Sequence, residues 1–303
     1  MPYRIRPDRP FSDEVVAVAS GQLQRAISAL EDQPEGLHEA IHEARKKFKR
    51  VRSLYRLVAM DQKPFRTAEN ARLRDTARTL SIVRDATALI ETVTYLENHA
   101  LNDEEKDALS HARAALTERR DALALAETDL ADKVAAAIAA CHEAIASLET
   151  ASFPSSPRKA AKLLAKGWRR GLARARASLD DCHNSVHEEA FHELRKAGQT
   201  YWMNLSLLRD IWPSAMHAKR AEAKALVDTL GHEHDLALLA DLLDRETGLI
   251  GGGEEFSHLL GAIIRQQQEL RRDALLRAEH LFGDIPAREG TIIEALWIAA
   301  ATE

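Results

Sequence analysis

Apolar residues recur along this chain at intervals of three and four, the spacing that lines one side of an α-helix. Between Ile41 and Val58, the residues Ala44, Phe48, Val51, Leu54, Tyr55 and Val58 share one face at about 100° per residue. The helical pattern is interrupted at Gln33-Pro34-Glu35-Gly36, Lys63-Pro64, Asn102-Asp103, the Ser/Pro cluster 152–157, Asp180 to Ser185, Trp212-Pro213-Ser214, Gly248 to Gly253 and Gly283 to Pro286. Gly, Pro and small polar residues favour turns at such places. Helical segments of roughly 15 to 45 residues are predicted between the breaks, with Asp103-Glu104-Glu105, Ser156-Pro157 and Pro213-Ser214 as starts. Ala, Leu, Glu and Arg recur throughout and aromatic residues make up only 5%, a composition of packed helices rather than sheets. The pattern predicts an all-α protein.

The pattern also repeats. His42-Glu43-Ala44-Arg45-Lys46 returns as His192-Glu193-Leu194-Arg195-Lys196, and Leu80-Ser81 with Arg84-Asp85 and Leu89 returns as Leu230-Gly231 with His234-Asp235 and Leu239, both at an offset of 150. Two matches at one offset, each on its own predicted helix, point to an internal duplication. The expectation is two helical bundles related by a pseudo-twofold axis, residues 1–151 and 152–303, meeting at the Ser/Pro cluster.

With 303 residues, 45% of them hydrophobic, the chain can bury a real core. No run of 18 apolar residues occurs, and Met1 to Glu14 lacks a signal-peptide core, so no membrane span is predicted and a soluble, cytoplasmic protein is expected. Cys141 and Cys182 are 41 residues apart, without a CxxC pair, and read as small packing residues. The net charge of −5 argues on its own against a polyanionic partner. The charge is segregated, however: Asn98 to Glu149 holds 11 acids against 5 bases, whereas Arg158 to Arg176 holds eight bases and no acid. That describes a basic site on an acidic body.

The side of the Ile41–Val58 helix opposite its apolar face carries His42, Arg45, Lys49, Arg52 and Arg56 within an arc of about 80°, with Lys46 and Arg50 widening it. A solvated basic face is the plain alternative. A merely solvating face mixes signs, whereas here Arg45/Lys49, Lys46/Arg50 and Arg52/Arg56 are like-charged pairs four residues apart, each costing about a few tenths of a kcal/mol. A counter-ligand would offset that cost. The repeated stripe contains His192, Arg195 and Lys196 but continues with Gln199, Thr200, Tyr201 and Trp202 instead of cations. The preceding helix supplies Lys162, Lys166, Arg169 and Arg170 in one broad arc with Arg158, Lys159 and Arg176, and Arg174 at its margin. Gly167 and Gly171 among them either permit close helix packing or are simply tolerated. Arg74 and Arg78 with Arg72, and Lys219 and Lys224 with Arg220, add further cations; Asp85 and Asp235 read as links between helices.

Taken in order, His42-x-x-Arg45-x-x-x-Lys49-Arg50-x-Arg52, Leu80-Ser81-x-x-Arg84-Asp85, His192-x-x-Arg195-Lys196 and Leu230-Gly231-x-x-His234-Asp235 resemble the CHAD family, α-helical domains named for their histidines. The resemblance covers nearly the whole chain. It implies two bundles packed around a basic cavity or groove, binding of inorganic polyphosphate without catalysis or cofactor, and association with polyphosphate granules. Gln199, Thr200 and Trp202 depart from it, where Lys or Arg is the usual continuation. The chemistry fits: a linear polyphosphate has a charge at every phosphate and no bases to read, and helices bearing cations every three or four residues offer a rung about every 5 Å. The imidazoles of His42 and His192 could donate to phosphate oxygens, or else tie helices together as neutral groups.

Three other readings compete. Glu39-x-x-His42 and Glu189-x-x-His192 have the spacing of di-metal carboxylate helical bundles, but Arg45 and Lys49 on the same face would repel a cation. A phosphate-transferring enzyme lacks support, since no GxxxxGK[ST] loop or ExExK pattern occurs. Binding to a nucleic-acid backbone would reward the same cations, although the stripes lack interleaved aromatics for stacking bases.

Overall fold

The computed structural model describes residues 3–80, 82–184, 187–250 and 252–302, without the side chains of Ile82, Val83 and Arg84. Ser81 and the Arg84 side chain of the second motif therefore lie outside the described residues. Within them the chain forms eleven α-helices, one short 3-10 turn at Leu148–Thr150 and no strand. The helices are α1 (Phe11–Asp32), α2 (Leu37–Val58), α3 (Lys63–Thr79), α4 (Ile82–Glu97), α5 (Asp103–Ala126), α6 (Leu130–Ser147), α7 (Pro157–Asn184), α8 (Glu188–Leu207), α9 (Pro213–Arg245), α10 (Glu254–Phe282) and α11 (Pro286–Ala300).

The three predicted helix starts are those of α5, α7 and α9. At α5 the reason is a reciprocal cap: the Asn102 side chain accepts from the Glu105 amide at 2.8 Å, and the Glu105 carboxylate accepts from the Leu101 amide at 2.6 Å. The predicted break at Asp180 is delayed, because α7 runs on to Asn184.

Two hydrophobic cores organise the bundle. The larger joins α1, α2, α6, α7, α8 and α11 with the start of α9 and the end of α10. The smaller joins α4 and α5 with the rest of α9 and α10. At 33 and 29 residues, α9 and α10 are about 50 and 44 Å long, which lets each reach from one core to the other. Both cores draw helices from before and after residue 151.

Helix α2 lies at the middle of the larger core. Its predicted apolar face is fully buried, with Ala44, Phe48, Val51, Leu54, Tyr55 and Val58 all at 0% exposure. Helix α7 presses directly on it at Gly167, where a Cβ would stand 2.1 Å from the Leu57 carbonyl oxygen; only glycine allows that approach. At Gly171 a Cβ would find only Asn204 Nδ2, 3.9 Å away, so of the two glycines Gly167 is the one that packing requires. Helix α8 meets α2 through Ser53, whose hydroxyl donates to Asn204 Oδ1 at 3.1 Å in a buried bond. Cys141 and Cys182 are buried and free, their thiols pushed up to about 12 chiefly by burial, which fits packing roles. No described helix is long and apolar enough to cross a membrane.

Candidate anion-binding site

Where α2, α8 and α9 meet, a cavity of about 600 Å³ is lined by basic residues that include His42, Lys46, Lys49, Arg50, Arg195 and Lys224. It shares His42, Lys46, Lys49, Arg195 and Asp235 with a neighbour of about 220 Å³ that adds Arg45, Asp85 and His234. On its other side it shares Arg50, Trp202, Met203 and Lys224 with a third cavity of about 480 Å³, which adds Arg25, Arg209, His217 and Arg220. Through these shared walls the three join into one track.

Cations along the track depress one another. Lys49 is pushed down to about 8, first by the protein around it and then by Arg195 and Arg45. Its side chain stays exposed to the cavity, so solvent screens part of that effect. Burial lowers Arg195, whose Nε has no hydrogen-bond partner among the described residues. His234 falls to about 3 through burial and then Arg195 and His192, and His192 falls through burial and then Lys196. In the free protein both imidazoles are therefore neutral at pH 7. Three of the track's carboxylates are already engaged: Glu43 with Lys46 at 2.6 Å and Lys47 at 2.5 Å, Asp85 with Arg45 at 3.3 Å, and Asp228 with Lys224 at 2.5 Å. The two lysines hold Glu43 down at about 2.

A fourth cavity, of about 450 Å³, shares no lining residue with the track. It lies between α2, α3, α7 and α8 and is lined by Arg52, Arg56, Arg66, Arg74, Arg170 and Arg174, with no carboxylate in its wall. Here Arg56 is pushed down to about 10 by burial, then by Arg52 and Arg174. Its guanidinium donates to Thr200 Oγ1 at 3.3 Å across the α2–α8 contact.

The predicted cations thus divide. His42, Arg45, Lys46, Lys49, Arg50, Arg195 and Lys224 line the track; Arg52, Arg56, Arg74 and Arg170 line the arginine cavity. His192 touches the track through His234, their Nδ1 atoms 3.3 Å apart. Lys196 pairs with Glu193 beside it. Five others lie away from the four cavities. Arg78 pairs with Asp75 at 3.7 Å, Lys162 is exposed, Lys166 pairs with Asp61, and the Arg169 stem packs where a Cβ on Gly290 would stand. Lys219 pairs with Glu289 at 2.7 Å, a carboxylate that also accepts from Trp168 Nε1 at 2.8 Å and the Tyr201 hydroxyl at 3.2 Å.

Arg25, Arg66, Arg209, His217 and His234 join the cavities without having been singled out as binding residues, and Arg174 and Arg220, named only beside the predicted cations, join them too. Arg66 carried a readable signal: Arg66, Asn70 and Arg74 recur every fourth residue on α3, and all three line the arginine cavity.

Among the described residues one group could hold a cation: Glu39, His42 and Glu43 each offer a ligand atom within 4.8 Å of the others. Lys46 and Lys47 already occupy the Glu43 carboxylate, and the group contains neither Glu189 nor His192. The two ExxH pairs therefore do not combine into a di-metal cluster among the described residues.

Fold and site together define an all-α protein built around concentrated cationic clefts. The CHAD domain family model matches residues 19–244, well over half of the chain, and the chain belongs to that family. Among solved structures, PptA from Streptomyces chartreusis aligns over 91% of this chain and 100% of its own, with a TM-score of 0.59 and 16% identity, a likeness of fold. No curated protein matches the sequence.

Proposed function

We propose that this protein binds linear inorganic polyphosphate along the track formed by α2, α8 and α9, and that it does so without chemical turnover. The observation that carries the reading is continuity: three cavities share cationic walls from Arg45 and His234 at one end to Arg209 and Arg220 at the other. Such a track suits a flexible chain with a charge on every unit, and mixing Arg with Lys gives both bidentate and point contacts. Membership of the CHAD family supports the same ligand. Pairing of Glu43, Asp85 and Asp228 with track cations leaves those carboxylates poorly placed to hold a catalytic metal ion, which favours binding over hydrolysis.

The two halves of the chain, 1–151 and 152–303, form on this reading a duplicated unit. In support, α1 and α2 begin at Phe11 and Leu37, while α7 and α8 begin at Pro157 and Glu188, near the offset of 150. A cytoplasmic location and recruitment to polyphosphate granules complete the proposal.

Calorimetric titration with long-chain polyphosphate at two salt concentrations tests it, with orthophosphate and duplex DNA as controls. Salt-sensitive binding of the long chain alone is the expected result. Preference for DNA would make the protein a nucleic-acid binder, and absence of binding to any polyanion would end the proposal.

A further inference from the structure

We infer that the six-arginine cavity is a second anion site, separate from the track, for a compact multiphosphate: several phosphate groups held close together, as in tripolyphosphate or inositol hexakisphosphate. The inference shares with the proposed function only its ligand chemistry, phosphate.

Its composition differs in kind from that of the track. The track mixes Lys, His and Arg with carboxylates, whereas the cavity wall has six arginines and no acid. Arg74 is ion-paired, to Asp75 at 2.8 Å; among the described residues the other five have no ion pair. Arg52 Nε is buried and, among the described residues, without a hydrogen-bond partner. The arginines act on one another: Arg74 depresses Arg52, Arg52 and Arg174 depress Arg56, and Arg170 and Arg174 depress Arg66, in each case after burial. Because guanidinium stays charged at neutral pH, the cluster stores repulsion that a dense anion relieves. Planar forks from three helices, α2, α3 and α7, suit bidentate contacts to phosphates that point in several directions.

Shape argues the same way. Ser53 bonded to Asn204, and Arg56 bonded to Thr200, join α2 to α8, and Gly167 seats α7 on α2. Those contacts hold the cavity's walls, and although α2 and α8 also border the track, no lining residue is common to the two. Gly171 leaves its side open, with nothing nearer than Asn204 Nδ2 at 3.9 Å from a Cβ.

The test is calorimetry with tripolyphosphate, inositol hexakisphosphate and long-chain polyphosphate on the full chain and two double variants. Arg170 and Arg174 are exposed, so R170S/R174S is expected to keep the wild-type melting temperature, while R170K/R174K keeps the charge and loses the fork. R170S/R174S should weaken the compact probes by about tenfold or more and leave the long chain within about threefold; K46Q/K49Q should do the reverse. R170K/R174K should fall between. Compact probes bound with wild-type affinity by R170S/R174S, or lost in K46Q/K49Q, would overturn the inference. If the long chain fails to bind while the compact probes bind in an Arg170- and Arg174-dependent way, the proposed function fails and this one holds. Whichever compact probe binds more tightly tells a linear oligophosphate from a ring-borne one.

Discussion

His192 on α8 and His234 on α9 face each other with Nδ1 atoms 3.3 Å apart and ring centroids 4.5 Å apart. One imidazole must donate to the other, and a proton on both is opposed by burial and by Arg195, Lys196 and Lys49, with Glu189 and Glu193 acting in the opposite sense on His192. His234 sits near 3, below its ordinary value of about 6.5. Between those values the unfolded chain binds a proton that the folded chain does not, so this group's stabilisation is complete above about pH 6.5 and is lost as pH falls toward 3. Melting temperature should therefore drop on acidification through that window, and less so in His234→Asn. Saturating polyphosphate supplies opposite charge beside the pair, so it should shrink the drop and take up protons below pH 6.5. Identical pH profiles for wild type and His234→Asn would remove the pair from this role.

Lys49 gives a separate alkaline signature. It sits at about 8 in the free protein, and a bound polyanion raises it again. Binding above about pH 8 therefore requires proton uptake, and affinity should fall as pH rises from 8 to 9.5. Lys49→Arg stays charged and should flatten that limb, whereas Lys49→Gln should bind more weakly at every pH. Parallel decline of wild type and Lys49→Arg would place the ligand elsewhere.

Phe48 lies between Arg45 and Lys49 in sequence and on the opposite face of α2 in the fold, at 0% exposure. Phe48→Ala should cost about 3–5 kcal/mol of stability and leave the affinity of the folded fraction within about twofold. Arg45→Glu with Lys49→Glu should do the converse, weakening polyphosphate binding more than tenfold with little change in melting temperature. Denaturant titration alongside calorimetry separates the two.

The two faces of α2 were legible because both follow from one helical period. What periodicity could not give was the division of its cationic side. Arg50 and Arg52 are two residues apart, yet Arg50 opens on the track and Arg52 on the arginine cavity, because α8 meets α2 at Ser53. Thr200 and Trp202 look like a break in the second stripe when read along the chain. In the fold, Thr200 receives Arg56 and Trp202 forms wall where two parts of the track join. The turn between α5 and α6 has no Gly or Pro to announce it. Lys133 brackets it instead, with ion pairs to Glu127 at 3.1 Å and Asp129 at 2.9 Å.

Lys219 and Lys224 look alike in sequence, both on α9 with acids nearby, but only Lys224 opens on the track. Lys219 is tied to Glu289, seventy residues away on α11, whose carboxylate is buried and also receives the Trp168 indole and the Tyr201 hydroxyl. Removing the lysine leaves that carboxylate short of its charged partner. With the Lys219 side chain 40% exposed, the cost should be moderate, about 1–2 kcal/mol for Lys219→Gln. Affinity for long-chain polyphosphate should change by less than about twofold, because Lys219 lines none of the track's three cavities. Lys224→Gln should behave oppositely, with near-normal stability and a loss of about threefold or more in affinity, since it removes a cation from the junction of two parts of the track. Thermal melts and titrations of the two variants at one ionic strength decide the matter. A larger affinity loss in Lys219→Gln than in Lys224→Gln would mean that the ligand crosses α9 nearer its start than the cavities indicate.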